Sequence, residues 1–191
     1  MPRVSAHRGL EGSAGSVGGV ESSYGRVLTL WHSNVTRWGP QAEGFCARSQ
    51  HDVLMLSETH LTSSQFEPVG RRMGALGWNA YHSGAVPTGR SDTGNSAGVA
   101  LFARKFRLTS PLDECALTES AAGQDCQSLR WCASVLRLRG VSALLCEVYL
   151  ITGTGMTDDN LNILRQLQVL QSLVNMPLIL AGDWNCTPQE L

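Results

Sequence analysis

Leu178-Ile179-Leu180-Ala181-Gly182-Asp183-Trp184-Asn185-Cys186-Thr187-Pro188 decides how the rest of the chain is read. Four apolar residues are followed by a glycine, then an acid and an amide one residue apart, then a proline. The pattern predicts a buried strand running into a tight loop. A continuous apolar run marks a strand covered on both faces, as in sheets layered with helices. Gly182 is expected to let the backbone turn without a Cβ penalty, and Pro188 to close the exit. Asp183 and Asn185 then stand at the C-terminal mouth of the strand, where open α/β sheets place their chemistry. A carboxylate there is a hard ligand for Mg²⁺ or for a metal-bound water, and the amide two residues on can hold a phosphate oxygen or orient a nucleophile. The competing reading is a plain Asx-turn after a strand.

A second loop of the same kind lies earlier, in Asp52-Val53-Leu54-Met55-Leu56-Ser57-Glu58-Thr59-His60. A bare glutamate after a strand is ordinarily a solvated end. Here Glu58 is the natural partner of Asp183, because oxygen ligands from different strand ends build Mg²⁺ sites. His60 could bind a phosphate or simply cap its loop, and the cap is the favoured reading. Asn34 follows the first apolar strand, Val27–Trp31, and is either a turn residue or part of the same mouth. Tyr149 ends the strand predicted over 141–151. If it faces the core its hydroxyl needs a buried partner; if it faces the mouth it can orient a phosphate or the attacking water.

Outward from these loops, helices are expected over 41–50, 63–76 (opening at Ser63 or Ser64) and 160–174. The last carries an apolar stripe of Ile163, Leu167, Leu170 and Val174. Strands at 129–138 and 141–151 form a hairpin turning at Gly140, and Gly98 marks a close backbone approach in the strand 97–103. Strand, helix, strand in succession implies layered α/β packing. Residues 1–24 are mostly Gly, Ser, Ala and Val, without an apolar core for a signal peptide, and are expected to be a disordered lead-in to a domain over 25–191. The chain of 191 residues is 42% apolar and 16% charged, with a mean hydropathy of −0.07, as befits one globular domain, here expected to be monomeric. Net charge is −1, with one lysine, Lys105, against fourteen arginines, so no long-range field draws it to nucleic acid, although a local arginine patch is compatible with that balance. Arg104, Lys105 and Arg107 form a basic cluster that reads equally as a solvated strand end or a nucleic-acid contact. Six cysteines without paired spacing point to reduced, intracellular thiols, nuclear or cytoplasmic, and no run approaches the length of a membrane span.

From Val27 to Leu191 the chain resembles the endonuclease/exonuclease/phosphatase superfamily, the DNase I-like and abasic-endonuclease-like fold. Asn34, the Leu-Ser-Glu-Thr-His segment around Glu58, the strand at 98–102 and Gly-Asp-Trp-Asn at 182–185 carry the likeness, with Tyr149 and Asn160 in support. The wording of the Glu58 and Asp183 loops is most similar to the endonuclease domains of mobile-element polyproteins. The resemblance implies an α/β fold, a four-layer α/β/β/α sandwich of two mixed sheets, C-terminally incomplete. It implies a Mg²⁺-dependent phosphodiester hydrolase, with Mn²⁺ as a substitute metal and DNA as the substrate. Small phosphoesters such as inositol or lipid phosphates are the alternative, and a non-catalytic remnant serving as a binding module is a third reading. It implies that Glu58 and Asn34 bind the metal, that Tyr149 contacts the scissile phosphate, that Asp183 positions or activates the water, and that Asn185 stabilises the transition state. The family's further Asp and terminal Asp-His pair have no counterpart before Leu191, so the sequence is expected to be a fragment of a longer protein, such as a polyprotein.

Overall fold

The computed structural model describes residues 16–21, 27–87, 94–105, 108–111, 130–138 and 140–186. β2 (Val27–Asn34) leads through α1 (Pro40–Arg48) to β3 (Val53–Ser57), which runs parallel to it. α2 (Ser63–Ala75), β4 (Trp78–Ser83) and β7 (Val99–Arg104) follow, separated by a short ribbon of β5 (Val86–Pro87) and β6 (Asn95–Ser96). With β1 (Ser16–Glu21) they make a five-stranded sheet in the order β1-β2-β3-β7-β4. β8 (Leu108–Pro111), β9 (Trp131–Leu138), β10 (Val141–Tyr149) and β11 (Leu178–Asp183) make a second sheet in the order β11-β10-β9-β8. α3 (Asp158–Val174) connects β10 to its parallel neighbour β11. Each sheet contains one parallel pair among antiparallel ones, so both are mixed.

Three apolar seams hold the layers together. Successive side chains of a strand point to opposite faces. On β3, Val53 and Met55 therefore enter the seam between the sheets, with Leu28, Leu30, Leu101, Leu136, Leu145 and Ala181. Leu54 and Leu56 point the other way and pack with Phe102 against Cys46 of α1 and Phe66, Val69 and Met73 of α2. On the far side, Leu144, Cys146 and Val148 of β10 meet Ile163, Leu167 and Leu170 of α3. Helix, sheet, sheet, helix is the expected four-layer sandwich. It also explains the continuous apolar runs, because both faces of each sheet are covered.

Local signals account for most boundaries. α2 opens at Ser63, as expected, with Thr62 as its cap, accepting the Gln65 N–H while the Gln65 side chain accepts from the Thr62 N–H at 3.0 Å, a reciprocal capping box. Asn175 closes α3 in the left-handed conformation, φ 46°. The hairpin turns at Gly140 with φ 84°, as expected.

Three expectations are altered. Within the lead-in read as disordered, Ser16–Glu21 pairs antiparallel with β2; residues 1–15 lie outside the described residues. The basic cluster serves the fold: Arg104 stacks over Trp78 at 3.9 Å and donates to the Ser49 carbonyl, and Lys105 Nζ donates to the Gly74 carbonyl near the end of α2 at 2.6 Å. Arg107 lies outside the described residues. Because β7 runs antiparallel to β3, with Ala103 opposite Val53, this cluster sits at the end of the sheet away from Glu58. The third alteration concerns Gly182. It lies inside β11, opposite Val148, and has no positive φ; an added Cβ would collide with the Val148 carbonyl and side chain. Its need for glycine is close approach to β10, while the left-handed residue of the loop is Asn185, φ 46°. Cys46 and Cys146 are buried, and burial pushes the Cys46 thiol up to about 12, so it stays protonated. No helix among the described residues is long and apolar enough to cross a membrane.

Candidate active site

The parallel pairs aim their C-terminal ends at one place. Asn34 is opposite Ser57 at the end of β2 and β3, so Glu58 comes next to it. Tyr149 is opposite Asp183 at the end of β10 and β11. On β2 the side chains of Leu28 and Leu30 enter the inter-sheet seam, and the same alternation brings Asn34 inward; on β11 Ala181 does the same for Asp183. The two sheets then join through their polar ends. Asn34 Nδ2 donates to Asp183 Oδ2 at 2.6 Å, and the Tyr149 hydroxyl donates to Glu58 Oε1 at 3.1 Å. Four of the five residues singled out from the sequence thus form two hydrogen-bonded pairs, each spanning the sandwich.

Their orientation is over-determined. Asp183 Oδ1 accepts the Asn185 backbone N–H at 3.2 Å, which leaves both carboxylate oxygens directed by a donor. The other end of the Asn34 amide accepts the Thr36 N–H at 2.8 Å, which sets the amide's orientation. Asn185 belongs to the loop: its Nδ2 donates to the Leu150 carbonyl at 2.7 Å, committing one of its two side-chain N–H groups. Tyr149 is 4% exposed, which settles the two readings of its side chain in a combined form: its ring lies in the inter-sheet core and its hydroxyl reaches the mouth, beside Thr152 Oγ1 at 2.9 Å. Burial raises the Tyr149 pKa, and the Glu58 carboxylate adds to the rise, so the phenol remains a donor.

The Glu58 loop carries backbone strain. Glu58 and His60 both have φ of 56°, and Ala97, facing them, has φ of 64°. Non-glycine residues rarely adopt this region. The loop is held there by Thr59 N–H to the Gly98 carbonyl at 2.9 Å and His60 N–H to the Ala97 carbonyl at 3.0 Å. A Cβ on Gly98 would stand 2.6 Å from Thr59 Oγ1, so the expected close approach is the one that presents Glu58. Strain of this kind, of order 1–3 kcal/mol per residue, persists where neighbours over-determine it, and it concentrates at functional sites. A polar cavity of about 450 Å³ opens alongside, lined by Arg37, Thr59, His60, Gln65 and Asn95 among others.

Asn160 clamps the loop after Tyr149. Its Oδ1 accepts the Ile151 N–H at 2.7 Å, and its Nδ2 reaches the carbonyls of Ile151 and Gly155 and the Thr154 hydroxyl. Asn160→Leu should lose about 1–3 kcal/mol, the cost of orphaning buried partners. Urea unfolding would show the loss, and hydrogen exchange at the Ile151 amide should accelerate; unchanged protection there would rule the clamp out.

Three residues escaped the sequence reading. Arg130 lies 5.7 Å from the Tyr149 ring centre and places a half-buried cation at the site; burial lowers its pKa, with Tyr149 and Asp159 opposing. His32 and Glu147 face each other in the seam, Nε2 to Oε1 at 3.2 Å. Burial pushes Glu147 up to about 7, against the downward pull of His32 and with the charge of Asp183 adding to the rise. Burial lowers His32, but Glu147 outweighs it and the net shift is upward. Both shifts act in one direction. The folded pair keeps protons that the unfolded chain has released, so stability falls as pH rises from the ordinary 4.5 of a glutamate through about 7. Unfolding in urea at about pH 5 and about pH 7.5 should show the wild type losing stability relative to Glu147→Gln. A pH-independent difference would remove the pair from the linkage.

No family profile and no curated protein matches the sequence. Solved structures do match the fold. A 3′-5′ exonuclease, NExo, from Neisseria meningitidis superposes with a TM-score of 0.52 at 20% identity, over 83% of this chain and 58% of that one. This chain has the endonuclease/exonuclease/phosphatase superfamily fold. The human Nocturnin catalytic domain matches over 73% of this chain and 53% of its own, with TM-score 0.46 and 22% identity. The endonuclease domain of TRAS1, a telomere-specific non-LTR retrotransposon, matches over 84% and 60%, with TM-score 0.49 and 15% identity. The chain spans less than two thirds of each of these proteins. In this superfamily fold, the two cross-sheet pairs lie where the parallel strands of both sheets end.

Proposed function

We propose that the chain forms the catalytic face of a Mg²⁺-dependent phosphodiester hydrolase that acts on DNA. The observation that carries this reading is the convergence of Asn34, Glu58, Tyr149 and Asp183 from four strand ends through two direct cross-sheet hydrogen bonds. Two half-buried carboxylates and neighbouring amides form an all-oxygen donor set that suits Mg²⁺, which takes one or two carboxylates and keeps most of its waters. Among the described residues no three His, Cys, Asp or Glu side chains gather to hold a metal, which argues against a closed zinc-type site there. Glu58 would be the direct ligand and Asn34 an auxiliary one. Bound Mg²⁺ would supply charge neutralisation at the phosphoryl oxygens.

The remaining work falls to the chain itself. Asp183, fixed by donors on both oxygens, is set to take the proton of an attacking water. Asn34 holds that carboxylate in place across the sheets. Tyr149 keeps its proton and offers a hydroxyl to a phosphate oxygen, and Arg130 brings positive charge beside it. Asn185 has a second side-chain N–H to offer the transition state. The cavity beside Glu58, walled by Arg37 and His60, would accommodate a flanking part of a polymeric substrate, which favours DNA over a small phosphoester.

The test is a cleavage panel with the purified chain: labelled single- and double-stranded DNA, and inositol polyphosphates, each with Mg²⁺ and with EDTA. DNA strand cleavage that EDTA abolishes and Mg²⁺ restores is the expected result. Phosphate release from inositol polyphosphates with intact DNA would overturn the substrate class, and no turnover on any substrate would overturn catalysis by this chain. Binding gives a separate readout. Glu58→Gln should weaken Mn²⁺ affinity by at least about 10-fold, because a direct anionic ligand becomes neutral; unchanged titration of the Mn²⁺ signal would exclude Glu58 as a ligand.

A further inference from the structure

His32 and Glu147 sit one inward position below the site on the same strands that build it. His32 is two residues before Asn34 on β2, and Glu147 is two before Tyr149 on β10. The register partner of Glu147 is Ala181, two residues before Asp183. Below the Asn34–Asp183 bond there is therefore a second polar contact between the sheets, His32 Nε2 to Glu147 Oε1 at 3.2 Å. Glu147 is 0% exposed. Leu30, Met55, Leu145 and Ala181 of the same seam surround this level of the sandwich.

Stability alone is a poor reason for such a pair. Removing two charged groups from water costs several kcal/mol each, and well-packed apolar residues of similar volume are often as stable or more so. The contact also lacks hydrogen-bond geometry: His32 Nε2 and both Glu147 carboxylate oxygens make no hydrogen bond. The attraction is one of charge, and it acts on relative placement. Apolar side chains in a seam slide past one another at little cost, whereas an ionic contact in low dielectric ties β2 to β10 at one offset. That offset is what the bond above it needs. At 2.6 Å, Asn34 reaches Asp183 only while β2 and β11 keep their alignment, and β11 is tied in register to β10.

We propose that His32 and Glu147 are positioning residues, whose contact sets the alignment of the two sheets that lets Asn34 hold Asp183. The inference rests on Asp183 being the working carboxylate of the proposed hydrolase, but the alignment can be read without turnover.

The experiment replaces both residues by apolar ones, His32→Leu with Glu147→Leu, and compares the variant with the wild type. Thermal stability is expected to be equal or higher. The Asn34 side-chain amide protons, shifted by their short bond to Asp183, are expected to move to the position of a solvated asparagine in ¹⁵N–¹H spectra. Where the wild type cleaves DNA, kcat is expected to fall about 10–100-fold with KM within about twofold, as for a misplaced catalytic group. A folded double variant that keeps the Asn34 signal overturns the proposal. If the double variant does not fold, Glu147→Gln decides the same point. The isosteric amide keeps the packing but removes the charge that attracts His32, so the Asn34 signal should be lost; a glutamine variant that keeps the signal overturns the proposal. Absence of DNA cleavage by the wild type would sink the hydrolase reading and leave the Asn34 comparison intact.

Discussion

Asp183→Asn is expected to reduce the turnover of the proposed hydrolase by about 10²–10³-fold, the range found when a preorganised electrostatic group is removed from a site. The substitution preserves volume, so its effect comes from charge and from hydrogen-bond sense. Asp183 faces two donors, Asn34 Nδ2 at one oxygen and the Asn185 N–H at the other. An asparagine amide presents one acceptor and one donor. In either flip it sets an N–H against another N–H, so one tether is broken and the proton acceptor is lost. Initial rates at saturating Mg²⁺ would measure the loss. Turnover within about 10-fold of wild type would remove Asp183 from the proton-transfer role.

Gly182→Ala is expected to be the most damaging one-carbon change in the described structure. The added Cβ meets the Val148 carbonyl oxygen, its carbonyl carbon and its side chain, and two of these are backbone atoms that cannot rotate away. Overpacking of this kind costs about 1–3 kcal/mol, and more where backbone must move. At about 3 kcal/mol the melting temperature should fall by roughly 6–12 °C for a domain of this size. Activity should fall further than stability, since β11 can relieve the clash only by separating from β10, which moves Asp183 away from Tyr149. Gly74→Ala is the matched control. It lies inside α2 with no neighbour within 4 Å of an added Cβ, and helix propensity predicts a gain of about 0.5–1 kcal/mol. Equal melting temperatures for the two variants would show that β11 and β10 do not need the close approach.

The residue types at the strand ends made the site visible in the sequence because each was preceded by an apolar run and followed by loop residues. Asn34, Glu58, Tyr149 and Asp183 could each be placed at a mouth, and their resemblance to one family put the mouths together. Which face Tyr149 used was not legible: β10 is apolar on both faces, so alternation carried no contrast. His32 and Glu147 were invisible for a related reason. Nothing beside either residue in its own strand marks it for a partner, and the partner is more than a hundred positions away. Gly182 was seen as special, but glycine alone does not say whether the demand is conformational or steric, and only the register opposite Val148 separates the two. Arg104 and Lys105 were ambiguous because a cationic cluster reads alike whether it faces phosphate or covers a tryptophan and a helix end. The strand at Ser16–Glu21 was hidden by its glycines, which depress β-propensity while leaving the backbone free to pair.

The division of the chain between the two sheets bears on the order of folding. Every strand of the first sheet precedes Lys105 and every strand of the second follows it, so each sheet can assemble from its own half of the chain. The bonds that join the halves close the long loops: Asn34 to Asp183 spans 149 positions and Tyr149 to Glu58 spans 91. Such non-local contacts form late, after the loop-closure entropy has been overcome. An intermediate with both sheets formed but not yet docked would therefore show nearly native circular dichroism and no cation-binding competence. A divalent ion that binds only the docked form would act as a ligand of the native state, pulling the final step forward by mass action. With the cation held at Glu58 as proposed, its titration during refolding would report the moment at which two independently formed halves become one molecule.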